Sequence, residues 1–272
     1  MKAKYPKILY KYCCFDEEGH VFDLIRKGKM WFSSARCFND PFDTSITYNY
    51  DGLYDKRAQD WVYSIIECDY PNLSFSEKKK LATEKLNEIR RDPSILLQRM
   101  DAIIEMQYNK FGICCFSEIK SNILLWSHYA KNHSGVCVGF STNLIMDYAD
   151  RLLSQNELLD LVKVKYAKEY PQHSLIKIEL GSEDVSDVED ILYTKSSDWS
   201  YEKEYRLIFW GKTNFCINFG FDTISEIVLG CRISAIHRDQ ILGICSTSEN
   251  PPQVYQAIKS ERQFSLDYER ML

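Results

Sequence analysis

A chain of 272 residues sits at the upper end for one domain, and 45 % hydrophobic with 27 % charged residues is the make-up of a globular protein with a real core. The net charge of −5, from 34 Lys and Arg against 39 Asp and Glu, argues against a dedicated duplex-DNA binder, whose affinity comes largely from neutralising phosphates. Ten Cys include no C-x-x-C and no Cys/His cluster at zinc spacing, and no apolar run is long enough to cross a membrane.

The amino terminus carries no apolar stretch, so no signal peptide is expected, and reduced thiols in a cytoplasmic protein account for the cysteines. Aromatic residues reach 14 %, mostly 18 Tyr and 14 Phe, a share that suits half-buried strands or a polar-lined cleft.

The first predicted element is a strand over Ile8–Tyr12, which alternates and is rich in aromatics. Asp16 then offers a helix N-cap. Val21, Leu24 and Ile25 follow at helical spacing, Arg26 and Lys27 sit in the last turn, and Gly28 ends the helix. A second strand, Lys29–Ser33, runs into a loop over Cys37–Asp43.

From about 54 to 109 the pattern is a helical insert. Trp61, Ile65 and Ile66 mark one helix, and Ser76 with Glu77 opens a charged second one carrying Leu81 and Leu86. Pro93 starts a third through Ile95, Leu96, Met100, Ile103 and Ile104. Strands resume at Phe111–Ser117, Asn122 caps a helix over Ile123–Tyr129, and Val136–Phe140 is again a strand. Further strands fall at Val162–Tyr166, Tyr205–Trp210, Phe215–Phe219 and Ile224–Leu229. A helix at Ala235–Ile244 and strands at Val254–Ile258 and Phe264–Tyr268 close the chain. The acidic run Glu183–Asp190 reads as a solvated loop or helix start. Together these predict one α+β domain over residues 1–272, a bent antiparallel or mixed sheet with a helical insert.

Several short signatures stand together: Leu9-Tyr10-Lys11-Tyr12, Met30-Trp31-Phe32-Ser33, Phe38-Asn39-Asp40-Pro41-Phe42 and Cys115-Phe116-Ser117. They continue with Leu125-Trp126-Ser127-His128-Tyr129-Ala130, the Gly135–Phe140 strand, and Trp199 through Glu202, Glu204 and Arg206. In this combination the chain resembles the bacterial domain-of-unknown-function family 2971, from about residue 8 to 258 with the helical insert unmatched. The resemblance implies a bacterial protein placed near mobile or defence genes, with a role in phage defence or as a toxin. An accessory or antitoxin protein is the partner it implies.

The opening strand–helix–strand and the Glu202-Lys203-Glu204 motif before a late strand are also similar to the ADP-ribosyltransferase superfamily. That likeness implies NAD in a cleft between two sheets and a carboxylate that stabilises oxocarbenium character as the glycosidic bond breaks. In this chain it points to Glu204 as the catalytic carboxylate, with Glu202 positioning ribose or acceptor on the same strand face. Tyr10, Lys11, Tyr12, Ser33, Ser34 and Asn39 would contact the nucleotide, and His128 would line the cleft as acid, base or donor. Arg206 would orient the glutamates through a salt bridge. Lys11 stands where the superfamily carries Arg or His, so a related nucleotide is an alternative to NAD. The acceptor would be a protein, a nucleic acid, a small molecule or water, the last making the chain an NAD glycohydrolase.

Two other classes fit. A non-catalytic sensor would bind a nucleotide or phage component in the cleft and use the helical insert to contact a partner. A metal-dependent nuclease would use Glu118-Ile119-Lys120 with Asp40 or Asp43, though no metal is otherwise expected. There is no G-x-G-x-x-G and no P-loop. His133 reads as a turn residue, and His20, His173 and His237 as surface residues.

Overall fold

The computed structural model describes residues 5–45, 47–49, 52–54, 56–95, 108–174 and 185–272. In chain order its elements begin β1 (Ile8–Cys13), α1 (His20–Lys27), β2 (Lys29–Phe32), β3 (Thr47–Asn49), α2 (Lys56–Asp69) and α3 (Phe75–Arg91). They continue β4 (Phe111–Ser117), α4 (Ile123–Tyr129), β5 (Val136–Ser141), α5 (Thr142–Leu153), β6 (Leu159–Lys163), β7 (Lys165–Ala167) and β8 (Gln172–Ser174). Then come α6 (Val185–Tyr193), β9 (Thr194–Ser196), β10 (Glu204–Trp210) and β11 (Phe215–Asn218). The chain closes with β12 (Ile224–Leu229), α7 (Ala235–Ser246), β13 (Gln253–Lys259) and β14 (Leu266–Arg270). The third insert helix, expected through Leu96 to Ile104, lies outside the described residues.

The fold is mixed α+β, and the chain divides into two compact units. The first joins Met1–Cys37, Asn109–Val164 and Ser197–Leu272; the second joins Phe38–Tyr108 and Lys165–Ser196. The helical insert is therefore part of a discontinuous unit that also draws on the segment before it, from Phe38, and on the 165–196 stretch.

The first unit is built on an eight-stranded sheet in the order β14-β13-β12-β5-β1-β4-β10-β6. Neighbours run antiparallel except β12 and β13, which run parallel on either side of α7 in the chain. Because side chains alternate, residues paired in register share a face. One face is apolar: Leu9, Phe116, Val138, Leu207, Ile227 and Val254 are fully or nearly fully buried within one core. The stripes of α1 (Val21, Leu24, Ile25), α5 (Ile145, Ala149, Leu152) and α7 (Ile241, Cys245) complete it, with Met30, Phe32 and Ile217 from the β2–β11 ribbon. Each such large apolar side chain contributes on the order of 1.5–3 kcal/mol by leaving water. The opposite face is aromatic and polar. There Tyr10, Tyr12, Cys137, Val228 and Ala257 pack with Trp126 of α4 and with Ala130, which follows it.

Helix α1 ends as its sequence indicates: Gly28 takes φ 61°, and its N–H donates to the Leu24 carbonyl at 2.8 Å. Its start differs from expectation. Gly19, at φ 76°, occupies the cap position, and Asp16 instead accepts the His20 N–H at 3.0 Å.

The second unit has its own core, in which Trp61, Val62 and Ile66 of α2 pack with Ala82, Leu86 and Ile89 of α3. Helix α3 opens on Ser74, not Ser76. Ser74 and Glu77 form a reciprocal capping box that satisfies two otherwise orphaned amides. Short parallel pairs β3–β8 and β7–β9 accompany the helices. Asp43 and Lys195 form a buried ion pair at 3.4 Å.

Candidate functional site

The polar face of the large sheet gathers most of the chemically capable side chains of the first unit. Strand β5 contributes Gly139, flanked in register by Tyr10 on β1 and Glu226 on β12. A Cβ at this glycine would lie 2.9 Å from Glu226 Cγ and 3.0 Å from Tyr10 Cε1. Its absence lets the Tyr10 hydroxyl reach across β5 and donate to Glu226 Oε1 at 2.7 Å.

A register shift between Ile224 and Glu226 makes this possible. Regular alternation would put Glu226 on the same apolar face as Ile224; the extra residue, Ser225, turns it to the tyrosine face. Lys120, in the loop between β4 and α4, closes the cluster. Its Nζ lies 2.8 and 3.0 Å from the two Glu226 oxygens. The same ammonium is 5.8, 4.9 and 5.4 Å from the ring centroids of Tyr10, Tyr255 and Tyr268, within cation–π range. The Lys120 carbonyl accepts from Trp126 Nε1 at 2.9 Å and from the Tyr268 hydroxyl at 3.2 Å, so the loop is pinned as well. Burial, and then the bond to Glu226, hold the Tyr10 phenol well above its usual range and keep it a donor.

Further along the same face stands the Glu-x-Glu motif. Glu204 opens β10 opposite Ser117, and Arg206 stands opposite Cys115, on the face of Tyr10 and Tyr12. Arg206 Nε donates to Glu204 Oε1 at 2.8 Å and Nη2 to Oε2 at 3.3 Å. Glu204 is 3 % exposed and Arg206 0 %. Glu202 is not on the strand. It ends a 3-10 turn over Ser197–Glu202, and Lys203 follows at φ 49°, so strict alternation between the two glutamates does not hold. Glu202 is nonetheless buried, and the Tyr129 hydroxyl of α4 donates to its Oε1 at 2.8 Å. Ser117 Oγ donates to the Glu202 carbonyl at 2.6 Å, and Asn122 both caps α4 and donates to the Tyr201 carbonyl at 2.8 Å.

The structure thus brings Tyr10, Tyr12 and Glu204 to one sheet face, with Glu202 held beside α4. Tyr12 donates to the Ile119 carbonyl at 2.9 Å and meets Trp126 edge-on. Lys11 points the other way: its register partner is Val138 on the apolar face, its ammonium lies over the Phe116 ring, and Nζ donates to the Cys115 carbonyl at 3.3 Å. Ser33 exchanges backbone hydrogen bonds with Ile113, and the Ser34 N–H donates to Asn214 Oδ1 at 3.1 Å. His128 is exposed, with its ring 6.1 Å from that of Trp199.

Asn39 belongs to the second unit and is exposed. There its neighbour Asp40 accepts the Phe42 N–H at 2.9 Å, the local bond of a turn. The two ends of the Glu118-Ile119-Lys120 motif serve separate partners, Glu118 meeting Lys163 at 3.2 Å and Lys120 meeting Glu226. Among the described residues no group of three or more His, Cys, Asp or Glu could hold a metal ion.

Sequence reasoning missed the Lys120–Glu226 cluster altogether. Its partners lie on β1, β12, β13 and β14 and on one loop, and no local spacing links them. The one available signal was an acidic residue, Glu226, inside a largely apolar strand.

Residues 125–207 match the model of a family described as a protein of unknown function (DUF2971). No curated protein and no solved structure matches the chain. The matched stretch holds Tyr129, Glu202, Glu204 and Arg206; Tyr10, Lys120 and Glu226 lie outside it.

Proposed function

We propose that the chain is a non-catalytic recognition module for a nucleotide-type ligand, in which the buried carboxylates are scaffold and not reactive groups. One observation carries this reading. Glu204, the carboxylate that ADP-ribosyl transfer would need against a ribose, is almost wholly buried and held by two hydrogen bonds from Arg206. A carboxylate must touch the developing oxocarbenium centre to stabilise it. One that is buried and charge-compensated is closed to a ligand, and loss of either partner destabilises the fold.

In this reading the helical part of the second unit supplies the partner surface, where Tyr54, in the turn before α2, and Phe75, at the start of α3, are exposed at 73 % and 71 %. The partner class is an accessory or antitoxin protein of a phage-defence or toxin system, as the family resemblance implies.

A second reading, ADP-ribosyl transfer from NAD on a transferase-type fold, is favoured by the gathering of Tyr10, Tyr12, Ser117 and Glu204 on one face. Glu204→Gln, which keeps the shape and removes the charge, separates the two. The recognition reading expects this variant to melt earlier yet bind ADP as the wild type does, by calorimetry below its melting temperature. NAD turnover by the wild type that disappears in the folded variant would replace it with the transferase reading.

A further inference from the structure

Strand β12, helix α7 and strand β13 form a parallel β–α–β unit, the one such unit among the described strands of the large sheet. Loops at the carboxyl ends of parallel strands are where α/β proteins place ligands, because the chain turns there and the following helix begins with unsatisfied amides. A cleft of about 470 Å³ opens at this point. Cys231 and Arg232 enter it from the loop after β12, Arg238 from the first turns of α7, and Gln256, Ile258 and Lys259 from β13. Its volume falls in the range of small-molecule sites, roughly 300–1,000 Å³.

The lining has one sign of charge. Arg232, Arg238 and Lys259 contribute three cations, and no carboxylate is among the described lining residues. Arg238 Nε meets Asp239 at 3.1 Å, which leaves its terminal nitrogens for other acceptors. Neither Arg232 nor Lys259 forms an ion pair with any described residue. The cleft floor is fixed by Gln256, whose Nε2 donates to the carbonyls of Gly230 and Ala257 at 3.0 Å each. Gly230 is pressed against the His133 carbonyl, where a Cβ would collide, so the Cys231–Ile233 loop has one path. A cleft lined by guanidinium groups with free N–H donors suits a multiply charged oxyanion such as a phosphate group, whose oxygens accept paired N–H bonds.

We propose that this cleft binds the phosphate groups of a phosphorylated small molecule of nucleotide size, with Arg232 and Arg238 as the phosphate clamp and Lys259 as a supporting charge. The assignment rests on the recognition reading above and gives its ligand a place and a chemistry. Cys231 provides a local reporter, since a ligand seated on Arg232 covers its thiol.

The test uses the full chain with ADP and, separately, inorganic pyrophosphate, measured by calorimetry and by peptide mapping of Cys231 alkylation with N-ethylmaleimide. ADP is expected to bind and to slow Cys231 alkylation. The R232A/R238A variant is expected to bind about tenfold more weakly or worse, since each clamp is a charge-assisted bond. K79A/K80A, which removes two charges in the second unit, is expected to bind as the wild type does. Tighter binding of ADP than of pyrophosphate supports a nucleotide; equal binding supports a phosphate-only ligand held by the same clamp. ADP binding unchanged in R232A/R238A, with Cys231 alkylated at an undiminished rate, would overturn the cleft assignment while leaving the recognition reading intact. Failure of ADP and pyrophosphate to bind the wild type would overturn the cleft assignment as well.

Discussion

The Lys120 ammonium faces one carboxylate and three tyrosine rings, and Glu226 depends on it for most of its charge compensation. Removing one partner of a buried pair costs more than the pair itself contributes, because a charge is left without compensation. Lys120→Met should therefore lower unfolding free energy by about 3 kcal/mol in urea titration.

Two other residues contribute to the pH dependence of stability. Burial, and then the Arg232 charge, depress the His133 imidazole, whose Nδ1 is buried without a hydrogen-bond partner. The unfolded chain protonates this ring first as pH falls, so stability drops below about pH 6.5. At the other end burial pushes the Cys245 thiol up to about 11. The unfolded thiol ionises first as pH rises, and stability declines from about pH 8.5 towards the folded value. Urea midpoints should be flat between these limits, and His133→Gln should flatten the acid side. A midpoint that rises on acidification would contradict this.

At the scale of elements, Gly139 is the position on which the tyrosine face turns. Gly139→Ala must push Tyr10 or Glu226 aside, breaking a charge-assisted hydrogen bond worth about 1.5–3 kcal/mol. The expected result is a lower melting temperature together with an altered tyrosine absorbance; an unchanged melt would mean that the bond contributes nothing.

Local signals were legible where one short segment carries the whole message. Phe111–Ser117 and Ile123–Tyr129 have the bounds their sequences indicate, and Asn122 caps as expected. The spacing of Ile145, Ala149 and Leu152 announces α5 as well. That element was absent from the sequence expectation because the Val136–Phe140 strand leads into it without a turn signal. What the pattern could not carry is long-range or set by one backbone angle. The left-handed Lys203 takes Glu202 off the strand, and the shift at Ser225 re-aims Glu226; neither changes the residue types that a periodicity reading uses. Lys11, by contrast, obeys strand alternation, and that alone separates it from Tyr10, Tyr12 and Glu204.

At the scale of the molecule, the large sheet keeps an apolar face for its helices and a polar face whose carboxylates are engaged by Arg206, Tyr129, Tyr10 and Lys120. Fixed charge and open charge are thereby separated within the first unit. The fixed charge lies on the sheet face, and the open cations line the cleft at the ends of β12 and β13. The proposed recognition reading, in which a ligand is bound and not transformed, rests on this division.

Nicotinamide release from NAD tests that claim most directly, followed by chromatography with the wild-type chain, Glu204→Gln and a bacterial lysate as acceptor. The account predicts release at the rate of buffer alone for both proteins. Release by the wild type above that rate, lost in a folded Glu204→Gln protein, would contradict it and make Glu204 a catalytic residue.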